Sequence, residues 1–463
     1  MEAKAAAREA DRGSALPMRR YSFTLVVFAT LLLAASGARA QVIIPNTPTA
    51  STLFGNPWGI RAEWRIGGEG TWDYLTVDPV AEQLFIAHGP QVQIVDLHSG
   101  ERLATVTGLG EARDVVLDPG GGYAFVSDAR AAMVRVLDRR TLELVASVPT
   151  GPTPRALVYE PTTQLVFAIC AAPVAATTET GERNSASVRG NRTRPPVHST
   201  VTVMDARNWK LLGDFQVSGR LGFGEADGSG NVFMTVEDRR TVVRFDAATV
   251  ARQLRRDHAK AETDELAQAE AEATAKEAAK TGTTNAAATN AAARDDLFGA
   301  TAWDPLMRRF GLPEECTEPS ALALDTTHLR LFVGCENGHL EVMDSVSGAA
   351  VASVAIGLDP GSIVYDAGRG LIFTANGGDD GSISIVRQDI NDDYALAQQL
   401  ITRPRARTMA ENPSAGRLYL VTDIYGFDID SANINGSSGI GTLRTKPMPG
   451  SFEVIVVGPV GAP

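Results

Sequence analysis

Residues 113–160 read RDVVLDPGGGYAFVSDARAAMVRVLDRRTLELVASVPTGPTPRALVYE. Four β-rich runs, at 113–118, 123–127, 133–138 and 144–148, are parted by turn residues, with Asp-Pro and Gly-Gly-Gly after the first. The first run ends in an acidic residue, Asp118, and so does the third, Asp138. Working outward, the first landmark recurs as LTVDP at Asp78, LVYEP at Glu160, LALDT at Asp325 and IVYDA at Asp366, with weaker copies at Asp227 and Asn412. The second recurs at Asp96, Asp205, Asp246 and Asp344, where an Asx-type turn would satisfy local backbone amides.

The spacing identifies a repeat. From first landmark to second it is 18, 20, 45, 19 and 19 residues; from second to next first it is 22, 22, 22, 79 and 22. The outliers mark insertions, about 25 residues in the third unit and about 57 in the fourth. Four antiparallel strands per unit at a period near 40 describe a propeller blade. Seven first landmarks predict an all-β, seven-bladed β-propeller over 61–463. The seventh unit ends one strand short, after RLYLVTD and SFEVIVVG. The N-terminal EWRIGG (63–68) ends ten residues before Asp78, as Gly108 stands ten before Asp118. It is therefore expected to complete blade seven, closing the ring and removing an exposed edge.

Residues 1–40 carry a secretory leader pattern: Arg19-Arg20, an apolar run from Phe23 to Ala35, then Ala38-Arg39-Ala40. Cleavage after Ala40 and a periplasmic or secreted protein are expected, with an uncleaved anchor as the alternative and Met18 as an alternative start. Residues 41–60 form a linker. No later apolar run is long enough to span a membrane. The net charge is −12, and −15 without the leader. That argues against a nucleic-acid partner, which needs basic surface. Three cysteines exclude a disulfide scaffold, and no Cys-x-x-Cys-His haem site occurs. Residues 171–198 are expected to be a disordered insert, 250–304 an Ala/Glu/Lys-rich, partly helical one, and 424–450 a Gly/Ser/Asn-rich loop.

GGEGTWDYLTVDP (67–79), HGPQVQIVDLHSGE (88–101), EECTEPSALALD (314–325), RLFVGCENGHLEVMD (330–344) and SFEVIVVG (451–458) resemble the YVTN-type β-propeller family, in its secreted YncE-like branch. The resemblance covers about residues 60–460 apart from the inserts. It implies the propeller fold. For function it allows binding proteins, surface proteins, lactonases and quinoprotein or cytochrome domains, among which fold does not choose.

In such a ring the second-to-third-strand loops and the inter-blade loops share one rim around the channel. Second-strand ends His88, Asp128, Cys170, Glu237, Glu336, Asn376 and Asp423 point there. Inter-blade loops add Trp72, Asp73, Arg113, Asp114, Arg155, Glu315, Arg405 and Arg407. Guanidiniums and carboxylates in one ring suit a polar or anionic small molecule, or a hard cation; the alternative is solvated rim residues and blade-to-blade salt bridges. Trp72 reads either as a ligand-stacking ring or as packing between blades one and seven. His88 is the one histidine at its repeat position. Cys316 and Cys335 reach the same rim, so a disulfide contributing about 2–4 kcal/mol is expected, with two free thiols as the alternative; Cys170 is then unpaired. No Gly-x-Ser-x-Gly, His-Glu-x-x-His or P-loop occurs. The expected function is a monomeric binding scaffold for a small polar ligand or a protein partner, with no identified cofactor or metal. The alternative is a lactonase-like hydrolase or quinoprotein-like oxidoreductase using a rim-bound cation or cofactor. A third reading is an adhesion module acting through its inserts.

Overall fold

The computed structural model describes residues 57–68, 70–170, 197–280, 303–378, 381–428 and 444–461. The leader, most of the 41–60 linker, nearly all of the 171–198 insert and the centre of the 424–450 loop lie outside the described residues. The chain is a seven-bladed β-propeller: seven four-stranded antiparallel sheets, six of them ordered from inside outward along the sequence, with the first strands of neighbouring blades side by side around the ring. Blade two shows the plan, with strands Ala112–Leu117, Tyr123–Asp128, Met133–Asp138 and Leu144–Pro149.

Blade seven closes the ring. Its order is Met409–Asn412, Arg417–Thr422, Glu453–Pro459 and, outermost, the N-terminal strand Trp58–Arg65. That last strand begins before the expected boundary at residue 61. It pairs antiparallel along Glu453–Pro459, from Trp58 opposite Pro459 to Arg65 opposite Glu453.

Burial explains why the pattern is not a simple alternation. A second strand is covered on both faces by neighbouring blades, so every residue of Leu165–Cys170 is buried. Outer strands such as Leu144–Pro149 are mostly exposed. Among the described residues the apolar core is seven clusters, one at each seam between blades. The acidic landmarks work as turn caps, accepting hydrogen bonds that the tight turns leave open. Asp96 Oδ1 accepts from the amides of His98 and Ser99, Asp138 Oδ1 from those of Arg140 and Thr141, and Asp344 Oδ1 from those of Val346 and Ser347. The first landmarks do the same: Asp78 Oδ1 accepts from Val80 and Ala81, and Glu160 from Thr162 and Thr163.

Three details depart from the expectation. Helix α1 (Ala247–Lys280) starts at residue 247, where Asp246 Oδ1 accepts the Thr249 amide at 2.7 Å. Its first two turns bury Val250, Ala251 and Leu254 at the seam of blades three and four; from Glu262 to Thr274 it is exposed. His198 opens a strand, His198–Asp205, and does not belong to the insert before it. The ends of the 424–450 loop pair as a ribbon, Tyr425–Asp428 with Arg444–Pro447.

Candidate binding site at the channel mouth

The mouth is built by a recurring irregularity. In six blades the pairing of first and second strands shifts register at the start of the first strand. A β-bulge leaves a residue unpaired and re-aims its side chain. The residues skipped are Arg113, Arg155, Ser320 and Gly361, with Asp73 and Tyr74 in blade one and Gly222 and Phe223 in blade four. Five residues before each first landmark stand Asp73, Arg113, Arg155, Gly222, Ser320, Gly361 and Arg407. Charge is therefore concentrated on blades seven, one, two and three, and small residues open the other side.

A cavity of about 610 Å³ lies here, lined by Trp72, Asp73, Arg113, Arg155, Arg405 and Arg407 of the expected set. Asp359, Tyr74, Thr408 and Tyr425 join them, unanticipated. Arg113 bridges Asp73, Nη1 to Oδ2 at 3.3 Å, and Glu111, Nη2 to Oε1 at 2.6 Å. Arg407 Nη1 lies 2.9 Å from Asp359 Oδ1. Arg405 stacks over the Tyr425 ring, 4.3 Å from its centroid. Thr408 Oγ1 donates to the Asp73 carbonyl at 2.9 Å, tying blade seven to blade one. Arg155 is exposed and has no hydrogen bond or ion pair among the described residues, although its field reaches Asp73. Burial pushes the Asp73 carboxyl above its ordinary range, opposed by Arg113, Arg155 and Arg407. Four guanidiniums and two carboxylates line the cavity, so the cup is locally positive in a chain of net charge −12.

The other expected rim residues do not reach the cavity. His88 is fully buried; its Nδ1 donates to Gln93 Oε1 at 3.0 Å, its ring lies 4.0 Å from that of Phe452, and Nε2 has no partner among the described residues. Asp128, also fully buried, accepts from the amides of Gly110, Glu111 and Ala131 and pairs with Arg135. Burial raises its pKa, but those bonds outweigh it and hold the carboxyl below its ordinary value. Asn376 links Thr374, Ser382 and Ser384. Glu237 is paired with Arg220. Glu336 stands behind Asp359, its carboxyl pushed up to about 7 by burial and then by Glu318 and Asp359. Second-strand ends thus serve the loops and the seams, and Asp128 and Glu237 are committed to partners away from any shared cation site. Among the described residues no three His, Cys, Asp or Glu side chains form a metal-binding group. Trp72 does both things considered for it: it lines the cavity and packs 5.9 Å from Phe452 of blade seven. Cys316 and Cys335 are joined in a disulfide with Cα atoms 5.3 Å apart, and Cys170 is a buried free thiol.

Tyr74, Asp359 and Tyr425 were missed for different reasons. Tyr74 is one residue past the bulge position already counted, so extending that count by one residue finds it. Asp359 holds a left-handed turn (φ 55°), as do Thr153, Glu318 and Arg405, each two residues before the repeat position held by Gly361, Arg155, Ser320 and Arg407 respectively; that spacing is a signal in the repeat. Tyr425 rides on the ribbon of a Gly/Ser-rich loop, and nothing local in the sequence places it.

No family model matches the chain, and no curated protein matches it. Solved structures do. U3-55K is 10% identical over 84% of this chain and 97% of its own, with a TM-score of 0.52. The WD40 repeats of RRP9 are 9% identical, covering 86% and 99%, at 0.54. A chain of the mitotic checkpoint complex is 11% identical, covering 86% and 96%, at 0.53. These neighbours are WD40-type seven-bladed β-propellers, and at such identities they establish the fold alone.

Proposed function

We propose that this protein is an exported binding scaffold of the YVTN type whose channel mouth captures a small anionic ligand, a carboxylate or a phosphate. The observation that carries the reading is Arg155, an unpaired guanidinium facing a 610 Å³ cavity beside three further arginines. Guanidinium groups recognise carboxylate and phosphate in a two-pronged geometry, and the volume suits a small molecule. Trp72, Tyr74 and Tyr425 supply aromatic walls for its apolar body. Both lining carboxylates are engaged by arginines, Asp73 by Arg113 and Asp359 by Arg407, which favours anion binding over the cation-dependent, lactonase-like alternative. A protein partner with acidic side chains would be read by the same groups, and one of the structural neighbours belongs to a multiprotein complex.

Export rests on the leader pattern and gains support from the Cys316–Cys335 disulfide, a bond that persists in oxidising compartments. No helix among the described residues is long and apolar enough to cross a membrane.

The test is a thermal-shift and calorimetric titration of residues 41–463 with phosphate, citrate and benzoate. A saturable shift that Arg155→Ala abolishes is the expected result, because a ligand that binds the folded state alone raises stability with concentration. No shift with any anion, or a shift unchanged in Arg155→Ala, would reject the reading.

A further inference from the structure

An aromatic pair narrows the channel. Tyr74 of blade one and Phe223 of blade four meet across it with ring centroids 5.2 Å apart. Tyr74 faces the mouth; Phe223 faces a second chamber of about 410 Å³ toward the opposite end. Most side chains lining that chamber are apolar, with Leu157, Val158, Pro161 and Ile363 alongside Phe223 and Tyr159. One carboxyl, Glu225, stands among them.

Nothing in the fold calls for a carboxyl at that place. Glu225 lies two residues before its first landmark, where the other blades carry Thr76, Val116, Val158, Ala323, Val364 and Ala410. Its strand, Leu221–Ala226, is pressed on blade three: a Cβ on Gly224 would come 2.8 Å from Val158 Cγ2. The backbone that presents Glu225 is thus held in place. The half-buried carboxyl has no hydrogen bond or ion pair among the described residues, and desolvation by the walls around it pushes it up to about 8. Tyr159 is the other titratable residue of the chamber, and its hydroxyl already donates to Asp118 Oδ1 at 3.1 Å.

We infer that this chamber is a second binding site, for an organic cation whose ammonium sits against Glu225 and whose apolar body fills the space between Phe223, Tyr159 and Ile363. An ammonium supplies the partner that the carboxyl lacks, in a setting where charge-assisted bonds are strong. Aromatic faces favour the same ligand. An anion would find no Arg, Lys or His among the described residues that line this chamber. A bare divalent ion would need several oxygen ligands that these walls do not provide. The site is independent of the anion cup.

The probe is 2-phenylethylammonium, with propylbenzene as its neutral isostere, titrated calorimetrically into the full chain at pH 8. The cation is expected to bind at least about tenfold more tightly than the isostere, a preference that Glu225→Gln removes while the melting temperature is kept or raised. The comparison of the two probes on the unaltered protein stands even without the variant. Equal affinity for both probes, no binding of the cation, or a cation preference that survives in Glu225→Gln would overturn the inference.

Discussion

Arg407 of blade seven holds Asp359 of the loop entering blade six, its Nη1 2.9 Å from Oδ1 and 3.2 Å from Oδ2. Both groups are more than a third exposed, so the pair adds little to stability, about 0–1 kcal/mol. Its consequence is for the cup: Asp359 occupies a guanidinium that faces the cavity. Replacing Asp359 with Asn frees Arg407 for the ligand and removes a competing charge. Anion affinity is expected to rise about tenfold, roughly 1.4 kcal/mol, with the melting temperature little changed. Arg407→Ala should do the reverse. Calorimetric titration with citrate checks both, and tighter binding in Arg407→Ala or weaker binding in Asp359→Asn would contradict the assignment of this pair to the site.

The repeat was legible because one chemical task recurs in every blade. Asp78, Asp96, Asp138 and Asp344 each cap a tight turn, so the same residue type returns at the same interval. Ring closure followed from counting strands. The mouth was partly legible for the same reason, since Asp73, Arg113, Arg155 and Arg407 share one repeat position. The expectation that second-strand ends would also face the ligand did not carry. A strand covered on both faces keeps its polar end buried, and Asp128 and Asn376 are taken up by neighbouring amides and hydroxyls. Asp359 and Tyr425 reach the cup through loop geometry and long-range packing, which a repeat interval does not encode.

The three cysteines should behave in two distinct ways. The Cys316–Cys335 bond closes a short loop, with a sequence separation of 19. The double variant Cys316→Ser, Cys335→Ser is expected to lose about 2–4 kcal/mol of stability. Burial pushes the Cys170 thiol up to about 11, leaving it protonated and shielded. Native protein treated with iodoacetamide without reductant should therefore take up no label, and the same protein in denaturant should take up one. Rapid labelling of the native chain would show that Cys170 is accessible or that the disulfide is open.

Glu225 sets a pH dependence with a definite sign. In the folded chain its carboxyl keeps its proton up to about pH 8, whereas the unfolded chain ionises it near the ordinary value of 4.5. The folded state binds more protons between those limits, so the contribution of neutral Glu225 is complete below 4.5 and is lost as pH rises toward 8. A glutamine there does not titrate. Unfolding of Glu225→Gln and of the unaltered chain should differ least at and below about pH 4.5. The variant should gain relative stability up to about pH 8 and hold that lead above it. A stability difference that stays constant across this range would mean that the carboxyl is solvated.

Ring closure makes the sharpest prediction about the fold. The strand Glu453–Pro459 is buried from Glu453 to Gly458 and is rich in β-branched residues. Only Trp58–Arg65 separates its outer edge from solvent. That strand is fastened at its start as well: the Trp58 amide donates to Gln398 Oε1 at 2.9 Å, Gln398 Nε2 donates back to the Trp58 carbonyl at 2.8 Å, and the Trp58 ring meets Phe373 edge-on at 4.6 Å. Replacing residues 58–65 with a Gly/Ser linker should leave six sheets paired and expose one long apolar edge, a template for association between chains. The altered protein is expected to elute as aggregate and to regain the elution of the unaltered chain when a synthetic 57–66 peptide is supplied during refolding. If it elutes normally without the peptide and melts within about 2 °C of the unaltered chain, a shift worth only about 2 kcal/mol at this size, the ring is held by the seams between blades and not by its closing strand.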